Sequence, residues 1–215
     1  MKKKQVAFLL AMEQEEAKGI YEEACKQVVK KLEELNEQVS SQKGWVFVND
    51  ISYRVKEPMS CLNKMLDKGH SLKLETAKEK LNDIAGVRAV CYFLDDVYQL
   101  ANLLMECPDY EFIKLKDYVK KPKASGYQSL HVIVRVPVSG PEGEEKVKVE
   151  IQLRTRAMDF WSDIEHHFIY KTKNIEYAEL YAYEEEFLKC SKSIQKIDKQ
   201  MLKIRKKIES RNKKQ

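Results

Sequence analysis

The sequence predicts an α+β protein in which a mixed β-sheet is flanked by helices, with long amphipathic helices near both termini. Three patterns predict this class: helical spacing of apolar residues before about residue 40, apolar–polar alternation between residues 129 and 154, and helical spacing again from residue 156. We therefore expect an N-terminal helical segment over 1–44, a mixed domain over 45–172, and a C-terminal helix with a basic tail over 173–215.

The first helix is expected from Glu13 to about Ser40. This stretch contains no proline, and its apolar residues lie three or four positions apart on one helix face: Tyr21, Cys25, Val28, Leu32, Leu35 and Val39. The apolar run before it, Val6 to Met12, is short and leads directly into acidic residues, so it does not predict a signal peptide. No apolar stretch reaches the roughly 18–20 residues of a membrane helix. We expect a soluble, intracellular protein.

The middle of the chain alternates between strand and helix patterns. A strand is expected from Gly86 to Phe93, a helix opened by acidic residues from Asp95 to about Glu106, and a further strand from Tyr110 to Leu115.

An antiparallel hairpin follows. Apolar and polar residues alternate over Ser129–Val136 and again over Lys146–Arg154, on either side of a turn that contains glycine and proline. The next helix is expected from Arg156 to about Lys171, with Phe160 and Trp161 in the core.

The C-terminal segment carries an apolar residue at every third or fourth position, which is the spacing of a heptad seam: Leu180, Tyr183, Phe187, Cys190, Ile194, Ile197, Met201, Ile204 and Ile208. The spacing fits a terminal helix packed on its own domain and equally a helix used in oligomerisation. Its last part, Lys203–Gln215, has seven Lys or Arg residues against one acidic residue.

Charge and cysteine content narrow the class of protein. A formal net charge of +5 over 215 residues suits phosphate-rich ligands without by itself predicting nucleic-acid binding. The five cysteines are spread along the chain with no C-x-x-C pair, which argues against a disulfide framework or a zinc knuckle. We expect free thiols and a cytoplasmic location.

One face of the second hairpin strand is strongly polar: Lys148, Glu150, Gln152 and Arg154. Upstream, Asp83 and Arg88 flank Gly86 at a helix-to-strand junction, where glycine lets the backbone approach a ligand closely. Two carboxylates, Asp83 and Glu150, on neighbouring strands are hard oxygen ligands of the kind that Mg²⁺ takes together with phosphates. The polar strand face alone also fits a solvated edge; together these features favour a magnesium and phosphate site.

Two further segments carry cations. The loop Lys123-Ala-Ser-Gly-Tyr-Gln-Ser-Leu-His131 offers a flexible glycine, a lysine for phosphate and the ring of Tyr127 for stacking on a base. The segment Tyr53-Arg-Val-Lys56 precedes a helix expected near Pro58. Residues of that helix share one face and provide a seat for phosphate: Ser60, Lys64 and Lys68. Each segment alone also fits an ordinary surface.

Five motifs occur in a fixed order: Tyr53-Arg-Val-Lys56, Asp83-Ile-Ala-Gly-Val-Arg88, Lys123-Ala-Ser-Gly-Tyr-Gln-Ser-Leu-His131, Glu150-Ile-Gln-Leu-Arg-Thr155 and Ala157-Met-Asp-Phe-Trp161 with Glu165-His166 and Tyr170-Lys171. Over about residues 50–172 they resemble the synthetase domain of the RelA/SpoT family, and the short chain resembles its single-domain small alarmone synthetases. The resemblance implies a nucleotidyltransferase-like mixed sheet. It also implies transfer of pyrophosphate from ATP to the 3′-hydroxyl of GDP or GTP, which gives AMP and ppGpp or pppGpp for the stringent response.

On the donor side, the resemblance implies contacts to ATP from one group of residues: Arg54 and Arg88 on the two faces of adenine, with Lys56, Ser60 and Lys64 along the phosphates. Asp83 would bind Mg²⁺.

On the acceptor side, the resemblance places Glu150 at the guanosine 3′-hydroxyl, either as general base or as a second metal ligand, and both roles stay open. Tyr127 would stack on guanine. The other implied GDP or GTP contacts are Lys116, Lys123, His131, Gln152, Arg154 and Asp159. Some relatives have Asn where this chain has Asp159, so the choice between GDP and GTP also stays open.

The hydrolase half of longer family members depends on several His and Asp residues ahead of the synthetase domain. The four histidines here are His70, His131, His166 and His167, all after residue 50, and we expect synthesis without hydrolysis. His166 and His167 point about 100° apart on a helix, which disfavours a shared metal. The resemblance also implies a homotetramer.

Two rival functions also fit the sequence. A non-catalytic RNA-binding protein is suggested by the basic tail, although it leaves Asp83 and Glu150 unexplained, and single-stranded RNA binding also fits as an accessory property. Alternatively, the same core acts on adenine nucleotides or a tRNA 3′ end as a toxin. The pocket around Tyr127 and Asp159 would then determine which acceptor is used.

Overall fold

The computed structural model describes residues 2–140, 143–170 and 177–212. Five strands form one mixed sheet in the order β1-β2-β5-β4-β3, and only the β2–β5 pair is parallel. The strands are β1 (Val48–Val55), β2 (Ala85–Cys91), β3 (Glu111–Asp117), β4 (Leu130–Gly140) and β5 (Gly143–Thr155). The helices are α1 (Lys3–Glu13), α2 (Glu15–Lys43), α3 (Pro58–Asp67), α4 (Leu74–Lys80), α5 (Leu94–Met105), α6 (Arg156–Glu165) and α7 (Tyr177–Asn212), with a π-helical turn at His166–Tyr170.

One face of the sheet is apolar and covered by helices. Alternate residues of the central strands point to this face and are almost fully buried, among them Val87, Val132 and Ile151, which the strand register places side by side. Helix α2 packs across β1, β2, β4 and β5, and α5 packs across β2, β4 and β5. The predicted α+β class and the β4–β5 hairpin are confirmed.

The opposite face carries the polar residues of the same strands. A lateral row crosses all five strands here: Ser52, Arg88, Gln152, His131 and Lys116. A second row, two residues along the strands, contains Arg54, Gly86 and Glu150. Because alternate residues of a strand share a face, the apolar core on one side fixes these functional candidates on the other.

Helix α7 turns polar side chains towards the domain. Ser191 and Asp198 are buried, and the side chain of Arg205 is 11% exposed because it pairs with Asp95 and the fully buried Asp96. The heptad residues point mostly to solvent, and five of them are about half exposed: Tyr183, Ile197, Met201, Ile204 and Ile208. The side chain of Leu180 lies outside the described residues.

The apolar run from Val6 lies in helix α1, within the N-terminal segment that was expected to be helical; Phe8 and Met12 are buried, and α1 packs on α3. Two local expectations need correction. Phe160 is 64% exposed rather than part of the core, because it lies on the side of α6 opposite the buried Met158 and Trp161. The helix expected to reach Lys171 leaves α-helical geometry at His166, and Lys171 lies outside the described residues.

In the described parts of the chain, every helix is too short or too polar to span a lipid bilayer.

Candidate active site

Two adjoining clefts lie on the polar face of the sheet. The first, of about 340 Å³, lies over β1 and β2, and the second, of about 430 Å³, extends over β5, β4 and β3. They share lining residues from the sheet, α6 and the π-helical turn: Arg54, Gln152, Arg154, Ser162 and His166. We call them the donor cleft and the acceptor cleft, after the roles that the family resemblance implies for the residues that line them. Their common wall would bring two ligands together over the middle of the sheet.

The donor cleft is bordered by two arginines from neighbouring strands. Arg54 of β1 and Arg88 of β2 point to the same face, and Gly86 lies between them on the floor. A Cβ atom added to Gly86 would meet the Arg54 carbonyl oxygen at 3.7 Å, an ordinary contact, so the protein itself does not require glycine there. The glycine keeps the cleft floor open to a flat ligand between the guanidinium groups.

Arg88 is held in place by carboxylates of α6. Its Nη1 lies 3.1 Å from Oδ1 of both Asp159 and Asp163, and its Nε donates to the Ser52 hydroxyl at 3.3 Å. The same Asp159 Oδ1 accepts a hydrogen bond from Arg154 Nη1 at 3.0 Å. Asp159 therefore joins Arg88 of the first cleft to Arg154 in the wall that both clefts share, and it lines neither cleft itself.

Asp83 lies where α3 meets the start of β2 and is paired with two lysines. Its Oδ2 is 3.0 Å from Lys56 Nζ and 2.6 Å from Lys64 Nζ. Burial favours the neutral acid, but the two ammonium groups outweigh it and hold the pKa of Asp83 below its ordinary value. Lys64 and Asp83 line the acceptor cleft, whereas Lys56 joins the site through Asp83, and the half-buried Ser60 lines neither cleft.

Glu150 lies at the centre of the acceptor cleft and is only 6% exposed. Its Oε1 is 2.9 Å from Lys116 Nζ and 3.3 Å from His131 Nδ1, and its Oε2 accepts from Gln152 Nε2 at 3.3 Å. Burial opposes ionisation, but His131 and Lys116 lower the pKa of Glu150 far below its ordinary range. Glu150 is therefore a carboxylate with fixed orientation, ready to bind a cation or accept a hydrogen bond.

A chain of hydrogen bonds continues from His131 across the acceptor cleft. His131 Nε2 is 2.9 Å from the Tyr127 hydroxyl, which accepts from Arg154 Nη2 at 2.9 Å. Arg154 Nη2 also donates to Gln152 Oε1 at 2.9 Å. Lys123 lies over the Tyr127 ring, with Nζ 4.7 Å from its centroid. Because Arg154 and Arg88 both bond Asp159, these hydrogen bonds form one network that connects the two clefts.

The site also contains residues that the sequence analysis did not assign. They are Ser52, Tyr53, Val87, Tyr118, Ser125, Ser162, Asp163, Glu165 and His166. Burial raises the pKa of Glu165, which lines the acceptor cleft. Ser162, Asp163 and His166 follow Asp159 by three, four and seven positions, a spacing that puts them on one helix side and was available in the sequence.

A divalent cation fits this set of oxygen atoms. Asp83 Oδ1 is buried and accepts no hydrogen bond, while Oδ2 binds the lysines, and Glu150 lines the same cleft. Within the described residues, no group of three or more His, Cys, Asp or Glu side chains is placed so that it could hold a metal ion by itself. An ion held here would take its other ligands from water and substrate phosphates, as Mg²⁺ commonly does.

A region found in RelA and SpoT proteins matches residues 53–175, which include every residue that lines the two clefts except Ser52. The chain belongs to the RelA/SpoT family. The GTP pyrophosphokinase YwaC of Bacillus subtilis is 40% identical over 156 residues, which are 73% of each chain.

Solved structures of this family share the fold. The small alarmone synthetase 1 of Bacillus subtilis, bound to its product pppGpp, superposes with a TM-score of 0.79 at 30% identity, covering 88% of this chain and 94% of that one. A GTP pyrophosphokinase family protein of Streptococcus pneumoniae gives a TM-score of 0.78 at 29% identity, over 98% and 97% of the two chains. The family assignment made from the five motifs is confirmed.

Proposed function

We propose that this RelA/SpoT family chain transfers pyrophosphate from ATP to the 3′-hydroxyl of GDP or GTP, giving AMP and ppGpp or pppGpp. The observation that carries the proposal is the pair of adjoining clefts, one bordered by two arginines and the other centred on Glu150. The relatives named GTP pyrophosphokinase and the synthetase bound to pppGpp support the same reaction.

In the donor cleft, adenine would lie between Arg54 and Arg88, since flat cationic groups stack well on a base. The phosphates would extend from this cleft towards Lys64 in the acceptor cleft, with Lys56 and the first turn of α3, which contains Ser60, beside them. The positive charge of the two lysines would stabilise the charge that develops as the β-phosphorus is attacked.

The cofactor in this proposal is Mg²⁺, held by Asp83 and Glu150. The free Oδ1 of Asp83 and the ionised state of both carboxylates support this choice. When bound, the ion supplies charge neutralisation at the phosphates.

In the acceptor cleft, Tyr127 would stack on guanine, while Lys116, Lys123, His131 and Arg154 would contact its phosphates and ribose. Glu150 would accept a hydrogen bond from the 3′-hydroxyl and orient that oxygen for attack. Its lowered pKa favours this orienting and metal-binding role over strong general-base catalysis. Gln152 completes the cluster and fixes Glu150 Oε2.

The test is to incubate the purified protein with ATP and Mg²⁺ together with GDP, GTP, ADP or tRNA in separate reactions, and to separate the nucleotides by anion exchange. We expect AMP to appear in step with ppGpp from GDP and pppGpp from GTP. Transfer only to ADP or tRNA, or no AMP with any acceptor, would contradict the proposal. We also expect no pyrophosphate release from ppGpp in the presence of Mn²⁺; such release would establish a hydrolase.

We further propose a homotetramer in the cytoplasm. The half-exposed apolar residues of α7 support an assembly, since a soluble protein rarely leaves an extended apolar stripe uncovered. The five cysteines, all free, suit a reducing compartment.

Accessory binding of single-stranded RNA is supported by exposed cations near the end of α7: Lys203, Lys206, Lys207 and Arg211. Affinity of this origin falls steeply with salt because phosphate contacts release counterions. A filter-binding assay at salt concentrations from about 50 to about 200 mM would measure this loss of RNA affinity. RNA affinity that is absent or independent of salt would contradict this part of the proposal.

A further inference from the structure

The loop that carries Tyr127 lies directly against helix α7. We call residues 118–129, between β3 and β4, the acceptor loop. It closes a tight turn in which the Gly126 N–H donates to the Lys123 carbonyl at 2.9 Å and the Lys123 N–H donates to the Tyr127 carbonyl at 3.1 Å. Gly126 has φ +94°, a conformation that L side chains rarely adopt. The turn therefore sets where the Tyr127 ring and the Lys123 ammonium enter the acceptor cleft.

A single serine of α7 forms hydrogen bonds with residues on both sides of Tyr127 in this turn. Ser191 is 3% exposed, and its hydroxyl donates to the Gly126 carbonyl. The same hydroxyl accepts from Gln128 Nε2 at 2.7 Å, and Gln128 Nε2 also lies 3.3 Å from the Ser191 carbonyl oxygen. The residues on both sides of Tyr127 are thus bonded to one side chain in a buried setting, where an unpaired polar group is costly.

The contact is also sterically close. A Cβ atom added to Gly126 would lie 2.9 Å from Ser191 Cβ and 3.2 Å from Leu188 Cα, so the loop backbone touches the helix. Two further hydrogen bonds hold α7 in place, one to the acceptor loop and one to α6. Gln195 of α7 donates to the Val119 carbonyl at 3.4 Å, and Trp161 of α6 donates to the Phe187 carbonyl of α7 at 2.9 Å.

We propose that Ser191 is a positioning residue for the acceptor nucleotide: by bonding Gly126 and Gln128, it fixes the acceptor loop so that Tyr127 and Lys123 are preorganised. The inference rests on the proposed function, because it assigns the loop to GDP or GTP. Tyr127 transmits the position of the loop to the catalytic cluster, since its hydroxyl bonds His131 and Arg154. Gly126, Tyr127 and Gln128 do not line the donor cleft, and Tyr127 reaches it only through Arg154, so we expect the effect on ATP binding to be the smaller one.

The first test compares Ser191→Ala with Ser193→Ala, a control on the same helix whose exposed hydroxyl bonds only within α7. We expect Ser191→Ala to raise the KM for GDP and GTP about tenfold, the size of one lost buried hydrogen bond, with the KM for ATP within about twofold of wild type. The control should match wild type. The proposal would be overturned if Ser191→Ala left the KM for GDP and GTP at the wild-type value. It would also be overturned if the variant raised the KM for ATP by the same factor as the KM for GDP and GTP.

The second test needs no activity and therefore separates this inference from the proposed function. Hydrogen exchange measured by mass spectrometry should be at least about tenfold faster in peptides covering 118–129 of Ser191→Ala, with α3 peptides (58–67) unchanged. Gln128→Ala, which removes the partner on the loop side, should give the same local effect if Ser191→Ala folds poorly. Unchanged exchange of the loop in both variants would refute the positioning role even if the wild-type protein made ppGpp.

Discussion

Glu150 shows how neighbouring side chains determine what a carboxylate can do. It is buried among Lys116, His131 and Gln152, and its pKa lies below the ordinary value of about 4.3. A carboxylate with a depressed folded-state pKa adds stability at all pH values above its unfolded pKa, and this stability is lost only as the pH falls through the folded pKa. Glu150 therefore stays ionised across the physiological range and does not set an acid limb of activity near neutrality.

Replacing Glu150 with Gln is expected to reduce kcat for (p)ppGpp synthesis by about 10²–10⁴-fold, because the amide neither binds a cation well nor orients the acceptor hydroxyl as a carboxylate does. Anion-exchange assays of AMP and ppGpp measure the loss. Glu144→Gln is the matched control, since Glu144 is exposed on the same strand away from both clefts. Activity of Glu150→Gln within tenfold of wild type would contradict the role.

Asp159 offers a test of coupling between the clefts. Asp159→Asn should raise the KM for ATP and for GDP each about three- to tenfold, because one charged acceptor is lost to both Arg88 and Arg154. Asp163→Asn should raise only the KM for ATP, by less than about threefold, since Asp163 is 63% exposed and pairs with Arg88. Steady-state kinetics with each substrate varied would decide; a change in only one KM for Asp159→Asn would contradict the coupling.

At the scale of single elements, helix α6 and helix α7 are joined by a buried carboxyl group. The Thr155 hydroxyl accepts from the Met158 N–H at the start of α6 and donates to Asp198 Oδ2 of α7 at 2.7 Å. Burial raises the pKa of Asp198 to about 6, although the hydrogen bond from Thr155 lowers it in part. Near neutral pH, the ionised form of Asp198 therefore opposes the packing of α7.

The pH dependence of stability follows from the upward shift in the pKa of Asp198. A carboxyl group whose folded pKa is raised contributes stability that is full below its unfolded pKa of about 3.9 and is lost as the pH rises through about 6. Asp198→Asn should therefore raise Tm by about 3–6 °C at pH 7.5, with a gain that shrinks towards zero near pH 4. Calorimetry over this pH range measures it, with Glu185→Gln, exposed on the same helix, as control. A gain independent of pH would contradict the assignment to Asp198.

The sequence predicts an element correctly where the spacing of its apolar and polar residues fits only one type of secondary structure. The alternation of β5 placed Glu150, Gln152 and Arg154 on one face, and the structure puts all three in the acceptor cleft. The pairing of Asp83 with Lys56 and Lys64 was not predictable, because it depends on how α3 packs against the start of β2. The orientation of α7 was also hidden, since a heptad spacing marks an apolar side without showing what that side contacts.

For the whole molecule, the outward apolar side of α7 leads to a prediction about assembly. The protein should sediment as a homotetramer of 25.2 kDa chains at micromolar concentration. Met201→Glu combined with Ile204→Glu should shift it to smaller species, because both side chains are half exposed and a buried charge at an interface is costly. Lys206→Glu, exposed on the same helix, is the control. A wild-type monomer at this concentration would contradict the assembly.

The connection between the acceptor loop and α7 has a consequence during protein synthesis. Gly126 leaves the ribosome 65 residues ahead of Ser191, the side chain that bonds its carbonyl group. Chains fold from the N-terminus as they emerge, so the sheet can assemble while the loop still lacks its support. We therefore expect a nascent chain to bind ATP before it can bind GDP or GTP well, and tight binding of the acceptor to require that α7 has emerged.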